Sequence, residues 1–238
     1  MGPRWTIMDL VLVVLGAFGG SLAAGGAAAA LGGDDNTIIL VSFAGQFIGT
    51  VGVMWLVGRG RGLDFDSLGF DIRPADTLYL GLGVVLQIAV ALLFIPLQQV
   101  LIPEGGASQD LTQMFADLDS AGARIAMAAI ATFLAPVSEE LMFRGVLLRA
   151  VSHRSRRTIL LVTSVVFALF HVAGTTSGGA AVLVFLQIFL VGLVLAHLTL
   201  RHDRLGPAIF VHAGFNLLTT LVLLAPPELL EQLEQAGV

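Results

Sequence analysis

The chain contains no cysteine and no lysine, and only 12% of its 238 residues are charged. Without cysteine there is no thiol nucleophile, no disulfide and no cysteine-ligated metal. Without lysine there is no Walker-type phosphate loop, no Schiff-base nucleophile and no Ser–Lys dyad. All twelve basic residues are arginine, a bias that a GC-rich coding background also produces. A soluble domain carries about 25% charged residues, so this chain has roughly half the usual share. That scarcity argues against a soluble enzyme and against a nucleic-acid partner. The net charge of −5 matters less than where the charges fall.

What fills the space is apolar. Hydrophobic residues make up 56% of the chain, and the mean hydropathy is +0.92. A bilayer core about 30 Å thick needs roughly 20 apolar residues of helix. Seven segments read as such spans: 10–33, 37–58, 77–102, 123–148, 159–173, 180–200 and 205–225. The expected fold is an all-α polytopic transmembrane bundle of about seven spans. The first apolar run is longer than the 7–15 residues of a signal-peptide core, so it reads as a retained span. Ten of the twelve arginines lie in alternate connections (Arg4; Arg59, Arg61, Arg73; Arg149, Arg154, Arg156, Arg157; Arg201, Arg204), and the other connections are acidic or neutral. The positive-inside rule then puts the amino terminus in the cytoplasm and the carboxyl terminus outside. The bilayer is a cell membrane of prokaryotic style, with short loops and arginine alone as the base. Segment 60–75 reads as an interfacial stretch and 107–120 as an external amphipathic helix. The organisation expected is three spans and an external loop over 1–122, a four-span core over 123–225, and an acidic tail over 226–238.

Charge inside hydrocarbon costs at least about 2.5–3.5 kcal/mol per group, so it is seldom kept without a use. The fourth span holds Glu139, Glu140 and Arg144, the fifth ends near His171, and the seventh carries His212 and Asn216. Glu140 and Arg144 are four apart and share a helix face, which leaves Glu139, about 100° round, free to act as a base. Pro136 leaves the carbonyl of Thr132 without its usual donor. His212 and Asn216 again share a face. The set has two chemical uses. A carboxylate and one imidazole can deprotonate a water while the second imidazole and the amide donate to an oxyanion. Alternatively, the carboxylate and imidazoles can bind zinc or another divalent metal. The plainer reading is a polar network that glues helices together, each contact averaging about 0.6 kcal/mol. Counting about 1.5 Å per residue from the flanking arginines puts His171 deeper than Glu139 and His212.

Glu139-Glu140-Leu141-Met142-Phe143-Arg144 resembles the EExxxR motif of the CPBP family (CAAX-protease and bacteriocin-processing, or Abi) of intramembrane endopeptidases. Phe167 to His171 is similar to its FxxxH motif, and His212 to Asn216 to its HxxxN motif. The resemblance covers about 124–218. It implies a helical bundle that hydrolyses a peptide bond in a membrane-associated peptide or protein. In that picture Glu139 is the base, His171 positions the water, His212 and Asn216 stabilise the oxyanion, and Glu140 and Arg144 support the site. It also implies a mechanism without a metal cofactor. A zinc or other divalent version, with Glu139, His171 and His212 as ligands, is the alternative. Two further readings use the same residues: a non-catalytic immunity or scaffold protein of this fold, and a transporter or proton relay. The sequence lacks the duplicated halves common in transporters.

Overall fold

A computed structural model describes residues 4–102, 115, 117–173, 175 and 177–226. Most of the expected amphipathic helix over 107–120, and all of the acidic tail beyond Pro226, lie outside these residues. Among the described residues, seven helices make up the bundle. They are α1 (Ile7–Ala30), α2 (Asp35–Arg61), α3 (Tyr79–Leu101), α4 (Ala121–Ala150), α5 (Arg156–Val172), α6 (Gly178–His202) and α7 (Gly206–Leu224). Six of these are long and apolar enough to cross a membrane, counting the lead-in turn of α3. The fifth has 17 residues, about 25 Å at 1.5 Å per residue, and is the short one. The expected interfacial stretch forms two 3-10 turns, Asp66–Leu68 and Pro74–Leu78.

Local chemistry sets the helix ends. Thr6 and Asp9 form a reciprocal capping box at the start of α1, which satisfies two orphan backbone donors. Asp34, Ser120, Ser155 and Ser177 accept from the first-turn amides of α2, α4, α5 and α6. Gly62, at φ 68°, stops α2 in the left-handed conformation that glycine adopts without penalty. Pro207 opens α7 at a position where a missing N–H costs nothing.

The helices pack as three pairs, α1 with α2, α3 with α7 and α5 with α6, and α4 runs among them touching α1, α2, α5, α6 and α7. Water cannot drive helix association inside lipid, so close backbone approach takes its place. In the α1–α2 pair, Gly16 and Gly20 face Gly45 and Gly49, and a Cβ at any of these would collide with backbone or side chain across the seam. The buried carboxylate of Asp9 also reaches Arg61 of α2 at 2.9 Å. Polarity is inverted relative to a soluble protein. Leu22 on α1 is 76% exposed, while Glu140 and Arg144 on α4 are fully buried. The burial falls on α4, α6 and α7 far more than on α1–α3.

The seam predicts a paired result. Gly20→Leu should lower the thermal stability of the detergent-solubilised protein by about 1–3 kcal/mol, the range for overpacking a tight contact. Gly19→Leu, next to it but facing open space, should leave the unfolding temperature near that of the wild type. Equal effects of the two would remove the seam as the cause.

Candidate active site

The polar residues sit where α4 departs from regular α-helix. Two π-helical segments, Ile130–Leu134 and Leu141–Leu147, flank the short α-helical piece Ala135–Glu140 that carries both glutamates. Such bulges are rare and cluster at functional sites. The first follows from Pro136. The Ala135 amide reaches back five residues to the carbonyl of Ile130, and in that register the next donor, to Ala131, would come from Pro136, which has no N–H. The carbonyl of Ala131 is therefore left without a backbone donor. Asn216 Nδ2 donates to it at 2.9 Å, so the bulge is closed by an amide from α7. Beside it, Thr132 and Thr220 hydrogen-bond at 3.0 Å.

Glu140 is the hub of the cluster. Its Oε1 accepts from Arg144 Nη1 at 3.0 Å and pairs with His212 Nδ1 at 3.0 Å. Arg144 Nη2 continues to the carbonyl of Gly192 on α6 at 3.2 Å. The guanidinium lies 4.1 Å from the centre of the Phe167 ring on α5, a cation–π contact within the usual reach of about 6 Å. The same ring packs edgewise against His171 at 4.5 Å and His212 at 5.7 Å. Phe167 thus touches Arg144 and both imidazoles. Gly192 packs tightly on α5, since a Cβ there would lie 3.1 Å from Ser164 Cα and would require a shift of a few tenths of an ångström.

Glu139 points elsewhere. Its Oε2 lies 3.4 Å from His171 Nε2 and 3.8 Å from His212 Nε2, and it has no hydrogen-bond partner. The deeper position computed for His171 from sequence does not separate it from its partners. The two glutamates diverge round the helix as expected, yet both address His212, one at each ring nitrogen. The hydrogen-bond partners assign the tautomers. His171 Nδ1 is 2.8 Å from the carbonyl of Phe167, which can only accept, so Nδ1 carries the proton. His212 Nδ1 likewise donates to the Glu140 carboxylate. In the neutral imidazoles both Nε2 atoms then present lone pairs toward Glu139.

The structure brings Glu139, Glu140, Arg144, His171 and His212 into one cluster, with Asn216 one turn beyond His212 and engaged to Ala131. Glu139 and His171 retain some exposure, 17% and 27% of their side chains, whereas His212 is almost sealed at 5%. Among the described residues, no group of three or more His, Cys, Asp or Glu is placed to hold a metal ion. Sequence reasoning did not find the Gly192 carbonyl, the Phe167 ring as a shared platform, or the Thr132–Thr220 bond. Of these, Phe167, spaced four residues from His171, and Gly192, whose surroundings resemble those in the CPBP family, carried a signal.

Fold and site together define a polytopic helical membrane protein with a polar centre of paired acidic and basic side chains inside the bundle. Residues 121–218, fewer than half of the chain, match the family model described as Type II CAAX prenyl endopeptidase Rce1-like. No curated protein and no solved structure matches the chain.

Arg144→Ala should destabilise the protein by about 3–5 kcal/mol, because it strands the buried Glu140 carboxylate. Thermal unfolding in detergent checks this. An unchanged transition would contradict the pairing of Arg144 with Glu140.

Proposed function

We propose that the chain is an intramembrane endopeptidase that hydrolyses a peptide bond in a membrane-associated peptide or protein. The observation that carries this reading is Glu139 Oε2 facing the Nε2 atoms of His171 and His212 at 3.4 and 3.8 Å, within the segment that matches an endopeptidase family. One water molecule between them can donate to Glu139 Oε2 and His171 Nε2, and a proton taken from solvent turns His212 Nε2 from an acceptor into a donor.

The chemistry then follows with this chain's own residues. Glu139 takes a proton from the water, which is held by His171, as the oxygen adds to the scissile carbonyl carbon. The carbonyl π electrons move onto oxygen. His212 donates to that oxyanion through Nε2 in its imidazolium form, with the Glu140 carboxylate as counter-ion at Nδ1. Asn216 spends one N–H on Ala131 and has a second to offer. When the tetrahedral intermediate collapses, the C–N bond breaks and Glu139 returns its proton to the leaving amine. The products are a carboxylic acid and an amine, which exchange a proton to become carboxylate and ammonium. No metal is needed at any step. The bilayer supplies the substrate laterally, and the arginine distribution sets the site's membrane orientation, with the amino terminus in the cytoplasm.

Cleavage of a membrane-anchored peptide by purified protein tests the reading. Glu139→Gln should reduce the rate by at least about 10²-fold, the lower range for losing a general base, at unchanged expression. Equal rates in wild type and variant would end the assignment. Activity should survive chelation. Stoichiometric zinc lost together with activity would replace the metal-free mechanism. Because the chain has no native cysteine, single cysteines can report orientation. A cysteine at His153 should react from the cytoplasmic side and one at Asp35 from the outside, and the reverse labelling would invert the topology.

A further inference from the structure

The matched segment begins at residue 121, yet the helix that presents His212 is held along its first half by residues that precede it. Asp76, fully buried in the 3-10 turn leading into α3, takes Arg204 in a two-point pair at 2.5 and 2.8 Å. Its Oδ2 also accepts the Arg73 backbone amide at 2.8 Å. The Leu205 amide donates to the carbonyl of Gly69 at 2.7 Å, and Arg149 at the end of α4 bonds Asp203 at 2.6 Å. The connection from α6 to α7 is thus fastened immediately before α7 begins. Gly206 is part of the fit, since a Cβ there would overlap the Asp76 carboxylate.

Two turns further along, α3 meets α7 again. A Cβ at Gly83 would overlap the carbonyl oxygen of Val211 and lie 2.7 Å from the Phe215 amide nitrogen. A Cβ at Gly214 would overlap the carbonyl of Leu80. The two helices run parallel with their backbones in contact, and Gln87 continues the pairing to Thr219 at 3.2 Å. These contacts bracket His212. The Arg204–Asp76 pair fixes the start of α7, and the Gly83 contact fixes the residues on either side of the imidazole.

We propose that Asp76 and Gly83 are positioning residues that set the axial register of α7 and so hold His212 against Glu139 and Glu140. The inference rests on His212 belonging to the catalytic site. A charge-assisted two-point pair has directional specificity that a single contact lacks. A backbone contact without side chains cannot slide without collision. Together they fix both position and rotation of a helix whose lipid environment supplies no comparable constraint.

The test uses full-length protein in nanodiscs with ¹⁵N-labelled histidine, and the same preparations in the cleavage assay. Gly83→Ala and Asp76→Asn should each lower kcat by up to about 10²-fold, the loss that a displacement of about 1 Å can cause, with KM nearly unchanged. Both should also shift the His212 Nδ1–H resonance away from its carboxylate-bonded position. Gly81→Ala makes the same chemical change two residues away, into open space, and should leave kcat and the resonance at wild-type values. Wild-type kcat and an unmoved resonance in Gly83→Ala and Asp76→Asn would overturn the proposal, as would an equal loss in Gly81→Ala. If Gly83→Ala does not accumulate as folded protein, Asp76→Asn, which keeps the side-chain shape, decides alone. If the wild type cleaves nothing, the protease reading fails separately and the resonance judges the positioning.

Discussion

One oxygen atom organises the centre of this bundle. Glu140 Oε1 is shared between the Arg144 guanidinium and the His212 imidazole, with all three groups withdrawn from water and lipid. A buried carboxylate with a missing partner is costly, so each contact enforces the next. Arg144 must reach Glu140, and its Nη2 goes on to the Gly192 carbonyl while the guanidinium lies over the Phe167 ring. His212 must turn Nδ1 to Glu140, which turns Nε2 to Glu139. Through these bonds α4 is tied to α5, α6 and α7, and the four helices cannot shift independently without exposing charge to a medium that does not solvate it.

Backbone irregularity serves the same end. In a regular α-helix the Ala135 amide would donate to the carbonyl of Ala131, which would then need nothing from α7. Pro136 and the π register leave Ala131 unsatisfied, and Asn216 answers it. The side chains of α7 therefore engage α4 three times, at His212, Asn216 and Thr220, each one turn from the next. The small residues do the complementary work on the periphery. Gly192 lets a carbonyl approach Arg144, and Gly83 with Gly214 lets α3 lie directly on α7.

Much of this was legible in the sequence. Long apolar runs and scarce charge gave the membrane class and the helix count, and the i,i+4 pairs Glu140–Arg144 and His212–Asn216 marked the polar faces. The convergence of Glu139 with both histidines followed from asking which intramembrane charges need partners. Other features were not readable because they depend on three-dimensional register. Pro136 signals a disturbed helix, but the loss of a backbone donor at Ala131 depends on a π turn that no local pattern announces. Gly83 and Gly81 are chemically identical in the sequence, and only the neighbour across the gap distinguishes them. The Asp76–Arg204 pair joins residues 128 positions apart, and a buried aspartate in a loop of mixed charge looks like its exposed neighbours. The short α5 was expected as a span over 159–173 and is a helix over Arg156–Val172, because Ser155 supplies a cap three residues earlier.

The central claim is that Glu139, His171 and His212 meet around a single water in a pocket without a resident metal. A high-resolution experimental map of the protein in a lipid nanodisc tests it most directly. The account predicts one water-sized density within hydrogen-bonding distance of Glu139 Oε2 and the two Nε2 atoms. A density bonded to those atoms at about 2.0–2.1 Å, the spacing of a zinc ion, or side chains turned to separate surroundings, would contradict it.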